Sequence, residues 1–350
     1  MTTDKAPISE PGAVTLGTSL PRVSLVMLAF NQQAYIEQAI AGALAQDYPN
    51  LEIILSDDGS SDATYEIIQR VAREYRGPHR LIANQTTNNM GILSHFYHAF
   101  SKSSGALIVA AAGDDISVSN RVSTLVEEWL SSGAAALSSD WFIMDDQGVV
   151  VGSGSRAAGS NVEAKWFADG QFTMIGGATA AYDRRVFEAI TLPDFNVLAE
   201  DYFFALILRV RSQKVVHVAK PLVHYRVHAQ SLINRPLAAG DMLSEERRLE
   251  AYATMIGRIY DHVLTLAKTG AGIDPGFGKP AVMRWSAIRA QIDDQAFRAR
   301  WIDASPWQRL AAVLRPPYAK AKLRWALPRL GGMATLRLQR GLTTAYRRLR

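Results

Sequence analysis

The stretch Leu107-Ile108-Val109-Ala110-Ala111-Ala112-Gly113-Asp114-Asp115 places two adjacent carboxylates at the end of an apolar run. A buried parallel strand reads this way where it leaves its sheet and delivers charge at the carboxyl edge. Neighbouring carboxylates repel unless positive charge lies beside them. A divalent cation supplies that charge, and Asp oxygens suit Mg²⁺ or Mn²⁺. The same pair also fits a solvated loop ahead of a helix, with Ser119 or Asn120 to cap it. Acidic pairs recur at Asp57-Asp58 and Glu200-Asp201, and a cationic run follows at His224-Tyr225-Arg226-Val227-His228.

These residues need elements to position them. Val23 to Phe30 is a buried strand ended by Asn31, and Tyr35, Ile36, Ala39, Ile40, Ala43 and Leu44 then recur at helical spacing. Leu51 to Leu55 is a second strand, closed by Ser56-Asp57-Asp58-Gly59-Ser60-Ser61-Asp62, where Ser61 or Asp62 can cap the next helix. Leu81 to Ala83 is a short third strand, followed by the loop Asn88 to Gly91 and a helix through His95, Phe96, Ala99 and Phe100. The order β-α-β-α-β-α-β predicts a mainly parallel central sheet flanked by helices, an α/β fold whose ligands bind outside the strands' carboxyl ends. Ala29 to Asn31, Asp57 to Ser60 and Asp114-Asp115 all fall at that edge.

The later pattern changes. Ala134 to Met144 reads as a strand, and Asp145 to Gly148 as a turn into Val149-Val150-Val151. Ser153 to Ala168 reads as a loop rich in Gly, Ser and Ala. Gly176-Gly177 opens a small-residue segment where backbone can approach a ligand closely. Asp183 starts a short helix, Glu200-Asp201 head a mostly apolar one, and Val215 to Val218 is a further strand.

Composition bounds the function. The 350 residues include no cysteine, which excludes disulfides and thiolate metal sites and allows a reducing cytoplasm. No window approaches the roughly 20 apolar residues of a membrane span. Residues 1–20 read as a disordered leader without a signal peptide's apolar core. No Gly-x-Gly-x-x-Gly follows the first strand and no Gly-Lys-Ser/Thr loop is present, so dinucleotide and P-loop folds are disfavoured. From Pro280 to Arg350 there are 15 Lys+Arg against 3 Asp+Glu, whereas the remainder holds 23 against 30. A mildly acidic body with a strongly basic tail points to an anionic partner.

From about Val23 to about Ser231, roughly three fifths of its length, the chain resembles family 2 inverting glycosyltransferases of the GT-A (nucleotide-diphospho-sugar transferase) fold. The resemblance is carried in order by Val-Ser-x-Val-x-x-x-Phe-Asn at 23–31, Ser-Asp-Asp-Gly-Ser-Ser-Asp at 56–62 and Asn-x-Gly at 89–91. It continues with Gly-Asp-Asp at 113–115, Ala-Tyr-x-Arg-x-Val-Phe at 181–187, Glu-Asp at 200–201 and Tyr-Arg-x-His-x-x-Ser at 225–231. It implies a GT-A domain over residues 21–235 and a helical, basic extension over 242–350.

The resemblance also implies roles. Asp58 would accept a hydrogen bond from the base of a nucleotide-sugar donor, expected to be UDP-linked, while Asp57 serves the turn. Leu28, Ala29, Asn31 and Asn89 would line the same pocket. Asp115 would ligate Mg²⁺ or Mn²⁺, with His228 as a further ligand, and Asp114 would reach the ribose or a metal-bound water. Arg226 would face the diphosphate, and His224 is structural. Where the family usually carries a further carboxylate upstream, this chain has Ala112 and Gly113, so the cation has fewer ligands. Asp201 would be the catalytic base, with Glu200, Gly176 and Gly177 bordering the acceptor and sugar. Acidic residues in a first helical turn also occur for helix stability alone.

The expected setting is surface polysaccharide or glycolipid synthesis on a polyprenyl-linked acceptor, in the cytoplasm or on the cytoplasmic face of the inner membrane. Beyond Ser244 a helix bears Leu249, Tyr252, Ala253, Ile256, Ile259, Tyr260, Val263 and Leu266 on one stripe, to pack on the catalytic domain or on a second subunit. Trp285, Trp301, Trp307 and Trp325 then lie among Arg and Lys. This tail reads either as a segment for an anionic membrane surface or as the charged exterior of a helical appendage; nucleic acid is a weaker third partner. Two other functions stay open: a sugar nucleotidyltransferase, which usually carries a basic Gly-rich loop early in the chain, and a non-catalytic glycosyltransferase-like binding subunit.

Overall fold

The computed structural model describes residues 20–155, 175–187, 190–197, 199–211 and 213–228, and parts of one helix between 255 and 266. The leader, most of the loop at 153–168, the residues of the 225–231 motif beyond His228 and the basic tail lie outside the described residues.

Among the described residues nine strands form one sheet in the order β3-β2-β1-β4-β8-β6-β9-β5, with β7 paired to β6. Its first half is parallel. Strands β1 (Val23–Ala29), β2 (Leu51–Asp57), β3 (Arg80–Gln85) and β4 (Leu107–Ala112) alternate with helices α1 (Ile36–Leu44), α2 (Thr64–Glu74) and α3 (Ile92–Ser101). Sequence-adjacent residues in β1, β2 and β4 serve opposite faces. Val26, Ile54, Ile108 and Ala110 face α3 and the aromatic side chains beyond it. Leu25, Met27, Ile53, Leu55 and Val109 face α1 and α4 (Arg121–Ser132). With helices on both faces, these strands need the uninterrupted apolar runs seen in their sequences.

The second half is mixed. Strand β8 (Ala180–Asp183) runs antiparallel to β4 and to β6 (Ala136–Met144); β9 (Val215–Arg226) runs parallel to β6; and β5 (Ile116–Ser117) runs antiparallel to β9. β7 (Val150–Gly154) returns along β6 after the expected turn. Strand β9 is far longer than the expected Val215 to Val218. It passes Pro221 where its register with β6 shifts on either side of Asp140, and a bulge tolerates a residue without an N–H. That irregularity carries His224 to Arg226 over β5, beside Asp114-Asp115.

Register fixes the working edge. Ala29 pairs with Asp57, Leu28 with Ala112, and Asp57 with Gln85, so the loops after β1 to β4 emerge side by side. β8 enters from the same edge, because Val109 pairs with Ala181 and the short 3-10 turn Gly177–Thr179 precedes it. Helix α5 (Glu200–Val210) starts there too. Its Phe204 sits 5.3 Å, centroid to centroid, from each of Phe96, Tyr182 and Phe187. Aromatic packing of this kind fixes where the helix begins. Ile259 and Val263 of the stripe expected beyond Ser244 are buried in the same core together with Met255, and the His262 imidazole lies 2.8 Å from the Thr191 carbonyl.

Candidate active site

Asp57 builds the turn after β2. It is fully buried and accepts from the Ser60 backbone N–H at 2.9 Å, from the Ser60 hydroxyl and from the Gln85 amide at 3.0 Å. Asn31 takes a left-handed conformation (φ 52°), which Asn tolerates better than most residues. Its N–H donates to Ser60 Oγ at 2.8 Å and its side-chain oxygen accepts from the Ser61 N–H at 2.9 Å. Phe30, beside it, leaves 43% of its surface exposed at the sheet edge.

Asp58 is buried and organises the next loop. It accepts from Thr86 Oγ1 at 3.1 Å, the Met90 N–H at 2.9 Å and the Gly91 N–H at 3.2 Å. Asn89 caps the same Gly91 N–H at 3.0 Å. Gly91 has φ +79°, and a Cβ there would lie 2.4 Å from Asn196 Oδ1, so only glycine fits. The carbonyls of Leu28 and Ala29 accept from the N–H groups of Gly113 and Asp58, each at 2.9 Å. These two residues therefore tie the loops together at the centre of the edge.

Asp115 has a different environment. Its Oδ1 accepts from the Arg226 N–H at 2.8 Å, whereas Oδ2 is buried without a hydrogen-bond partner. Burial, and then the charge of Asp114, push its pKa well above the usual carboxylate value, against the pull of Arg121 and Arg226. Asp114 Oδ2 lies 3.0 Å from His228 Nε2. An orphaned buried carboxylate oxygen beside a second carboxylate fits a divalent cation that takes its other ligands from substrate phosphates. Among the described residues no cluster of three or more His, Asp and Glu side chains is set to hold a cation.

Arg226 takes another place than expected, while His228 stays beside the acidic pair. Arg226 is 1% exposed, with its guanidinium directed into the protein. It donates from Nε to the Asp114 carbonyl at 2.9 Å, from Nη1 to the Asp146 carbonyl at 3.1 Å and from Nη2 to Gln38 Oε1 at 2.7 Å, and it stacks over the Tyr35 ring at 4.7 Å. Bonds to two backbone carbonyls and the Gln38 side chain make it a strut under the acidic pair, not a phosphate-facing cation. His228, expected on the metal, turns its Nε2 to Asp114 and packs on Tyr35. His224 stacks on Phe142 at 4.9 Å.

The third part of the edge holds Asp201. Its Oδ2 accepts from the Gly177 N–H at 3.3 Å and its Oδ1 from the Tyr202 N–H at 2.7 Å. A Cβ on Gly177 would lie 2.4 Å from Glu200 Oε1, so a side chain there would displace the Glu200 carboxylate. Gly176 donates to Ser138 Oγ at 3.3 Å. Below them Tyr182 is buried, and burial together with the charges of Glu200 and Asp201 raises its pKa well above 10.0.

Arg121 was not singled out in the sequence. It is 1% exposed and bridges the Ala110 and Ala178 carbonyls from Nη2, at 2.7 and 2.9 Å. A usable signal existed: an arginine stands with Val122, Leu125 and Val126 on the buried face of α4. Asp58, Asn31, Asp114-Asp115 and Gly177 with Asp201 thus follow one another along the ends of β2, β1, β4 and β8. Three strand spacings make this row roughly 14 Å long.

Residues 24–191 match the sequence model described as Glycosyl transferase family 2. That stretch, just under half of the chain, is a segment of that family. Its curated relatives include EpsE of Bacillus subtilis, 34% identical over 102 residues, which covers 29% of this chain and 36% of EpsE. The Escherichia coli UDP-Glc:alpha-D-GlcNAc-diphosphoundecaprenol beta-1,3-glucosyltransferase WfaP is 28% identical over 212 residues, 60% of this chain and 79% of WfaP. The first relatives matched are covered over only 36% and 27% of their own length. Among solved structures, the PcManGT mannosyltransferase of Pyrobaculum calidifontis, in complex with GDP-Man and Mn²⁺, aligns with a TM-score of 0.55 at 18% identity, covering 95% of this chain and 82% of that one. Staphylococcus aureus TarS 1-349 in complex with UDP aligns at 0.51 and 15%, covering 87% and 78%. The family 2 domain has the GT-A fold.

Proposed function

We propose that this protein is an inverting glycosyltransferase that moves a sugar from a UDP-sugar to a hydroxyl of a polyprenyl-linked glycan. The observation that carries the reading is the pairing, along one sheet edge, of an acidic pair with an unsatisfied buried oxygen and a carboxylate held by a glycine N–H. The first suits a leaving diphosphate and the second an incoming alcohol.

Asp201 takes the proton of the acceptor hydroxyl as its oxygen bonds to the anomeric carbon. The bond from that carbon to the donor phosphate breaks, and a nucleoside diphosphate leaves. Asp115, with Asp114, would hold Mg²⁺ or Mn²⁺. Such an ion supplies positive charge where the leaving phosphates gain negative charge. Asp114 is oriented by His228, and Arg226 fixes the backbone of the pair from behind. Asp58, Asn31 and Asn89 frame the place of the donor base, and the exposed Phe30 ring gives it an apolar face to stack on. Glu200 and the Gly176-Gly177 backbone border the sugar and acceptor.

Residues 21–235 form the transferase domain in this reading, and 242–350 its extension. Among the described residues no helix is long and apolar enough to cross a membrane. The basic tail supports a peripheral place on an anionic cytoplasmic membrane surface, where polyprenyl-linked acceptors sit. The relatives' names support that acceptor class: WfaP is named for a diphosphoundecaprenol substrate, and a Campylobacter jejuni relative, 30% identical over 109 residues, is named a GalNAc(5)-diNAcBac-PP-undecaprenol beta-1,3-glucosyltransferase.

The test is transfer from UDP-sugars with and without Mn²⁺, for wild type and Asp201→Asn. Loss of the base should lower kcat by about 10²- to 10⁴-fold, with the melting temperature held. Unchanged turnover in Asp201→Asn removes the assignment.

A further inference from the structure

We propose that Arg121 is a positioning residue that locks the base-bearing side of the site to the strand that carries the acidic pair. The inference rests on the reading of Asp201 as the base.

Arg121 is the first residue of α4, and its guanidinium enters the protein between β4 and the Gly177–Thr179 turn. One nitrogen, Nη2, donates to two carbonyls. Ala110 belongs to β4, five residues before Asp115. Ala178 follows Gly177, whose N–H holds Asp201. Nη1 donates to Ser117 Oγ at 3.0 Å, which ties the same group to β5. The hydrogen bonds of the guanidinium go to two carbonyls and a hydroxyl, Nε is buried without a partner, and the attractive charge acting on it is that of Asp115.

A structural role alone explains this poorly. Taking a guanidinium out of water is costly, and an apolar side chain of similar volume commonly fills such a place at no loss of stability. What an apolar side chain cannot do is bridge two carbonyls on different elements while standing as positive charge beneath an acidic pair. Other bonds around the turn run to β6 and to α5: Thr179 Oγ1 lies 3.0 Å from Ser138 Oγ, Gly176 donates to that same hydroxyl, and the Gly177 N–H donates to Asp201. From within the turn the Ala178 carbonyl reaches the opposite way, toward β4, ahead of the β4–β8 ladder that begins at Ala181. Arg121 therefore sets where the Gly177 N–H lies relative to Asp114-Asp115, and through it where Asp201 lies relative to the leaving group.

The experiment uses the full-length protein with Arg121→Met and Arg121→Lys. Calorimetry with UDP and Mn²⁺ gives the number of competent sites and the affinity, and turnover is then expressed per competent site. Amide exchange is followed in the peptide that spans Gly176 to Asp183. In Arg121→Met, turnover per competent site should fall about 10- to 100-fold, as a misplaced catalytic group would give, while UDP affinity stays within about twofold. Exchange in the peptide should quicken. Arg121→Lys keeps the charge and should fall less; it carries the test if Arg121→Met does not fold. A purely structural arginine would lower the number of competent sites and leave turnover per site unchanged, and that result, with unchanged exchange, overturns the proposal. If wild type binds no UDP and transfers no sugar, the functional reading fails, and the exchange comparison still decides whether Arg121 holds the turn.

Discussion

Two carboxylates are buried at opposite edges of the same sheet, and their surroundings differ in kind. Glu52, near the amino edge of β2, is 1% exposed and satisfied on every side. It accepts from the Ser24 hydroxyl at 2.6 Å, from the Ser104 N–H and hydroxyl, and from Arg80 at 3.1 Å. These hydrogen bonds outweigh burial and hold its pKa below the ordinary 4.5. Asp115, at the carboxyl edge, has one satisfied oxygen and one orphan, and its pKa is driven the other way. A fold that can pair one buried carboxylate fully leaves the other short of partners. The unpaired one faces the edge where a cation and a substrate would complete it, as strained or under-satisfied groups at functional sites do.

The comparison breaks most visibly at Asp115. Asp115→Asn keeps an acceptor for the Arg226 N–H and removes the buried negative charge. Transfer activity should fall by about 10²- to 10³-fold, the scale lost when one stabiliser of transition-state charge is removed. The melting temperature should fall only modestly, because the change relieves a carboxylate oxygen that has no hydrogen-bond partner but also takes from the buried Arg121 the charge that attracts it. A large drop in thermal stability would mean that Asp115 is structural, as Glu52 is, and the contrast would collapse.

Glu52→Gln is the mirror experiment. It places an amide N–H₂ among donors and should cost about 1–3 kcal/mol of stability, with kcat of the folded protein unchanged. Chemical denaturation and turnover at low temperature measure the two effects. The pH dependence sharpens it. The folded pKa of Glu52 lies below its unfolded value, so its stabilisation is fully present above about pH 4.5 and is lost as pH falls through the folded value. Wild type and Glu52→Gln should therefore converge in stability on acidification.

Glu52 also shows how much could be read in advance. Leu51-Glu52-Ile53-Ile54-Leu55 carries one acid inside an apolar run, and the run alone gave the strand. Partners were not legible, because Ser24 meets Glu52 only through the β1–β2 register, and Ser104 arrives from a loop 52 residues away. The same division holds at the site. Apolar runs and their polar endings placed Asn31, Asp58 and Asp114-Asp115 at one edge, because parallel strands fix which ends are shared. Direction was hidden. Nothing in Tyr-Arg-x-His said that Arg226 turns inward to backbone carbonyls, since those carbonyls belong to the Asp145–Asp146 turn and to Asp114. The length of β9 was hidden too, because Pro221 reads as a break and the bulge that admits it depends on β6.

The smallest effect separates hydrogen bonding from ion pairing at Glu52. Arg80 pairs with Glu52, but its side chain is 62% exposed and is screened by water. Exposed pairs of this kind contribute about 0–1 kcal/mol, so Arg80→Met should shift stability by no more than that, and less at high salt. Ser24→Ala removes a buried donor to Glu52 and the acceptor for the Gly105 N–H together. It should cost more than Arg80→Met, at about 1–3 kcal/mol. If denaturant midpoints reverse that order, Glu52 is held by charge and not by its hydrogen bonds. The amino edge would then differ from Asp115 only in having its counter-charge built in, with Arg80 in the place that a cation would take at the carboxyl edge.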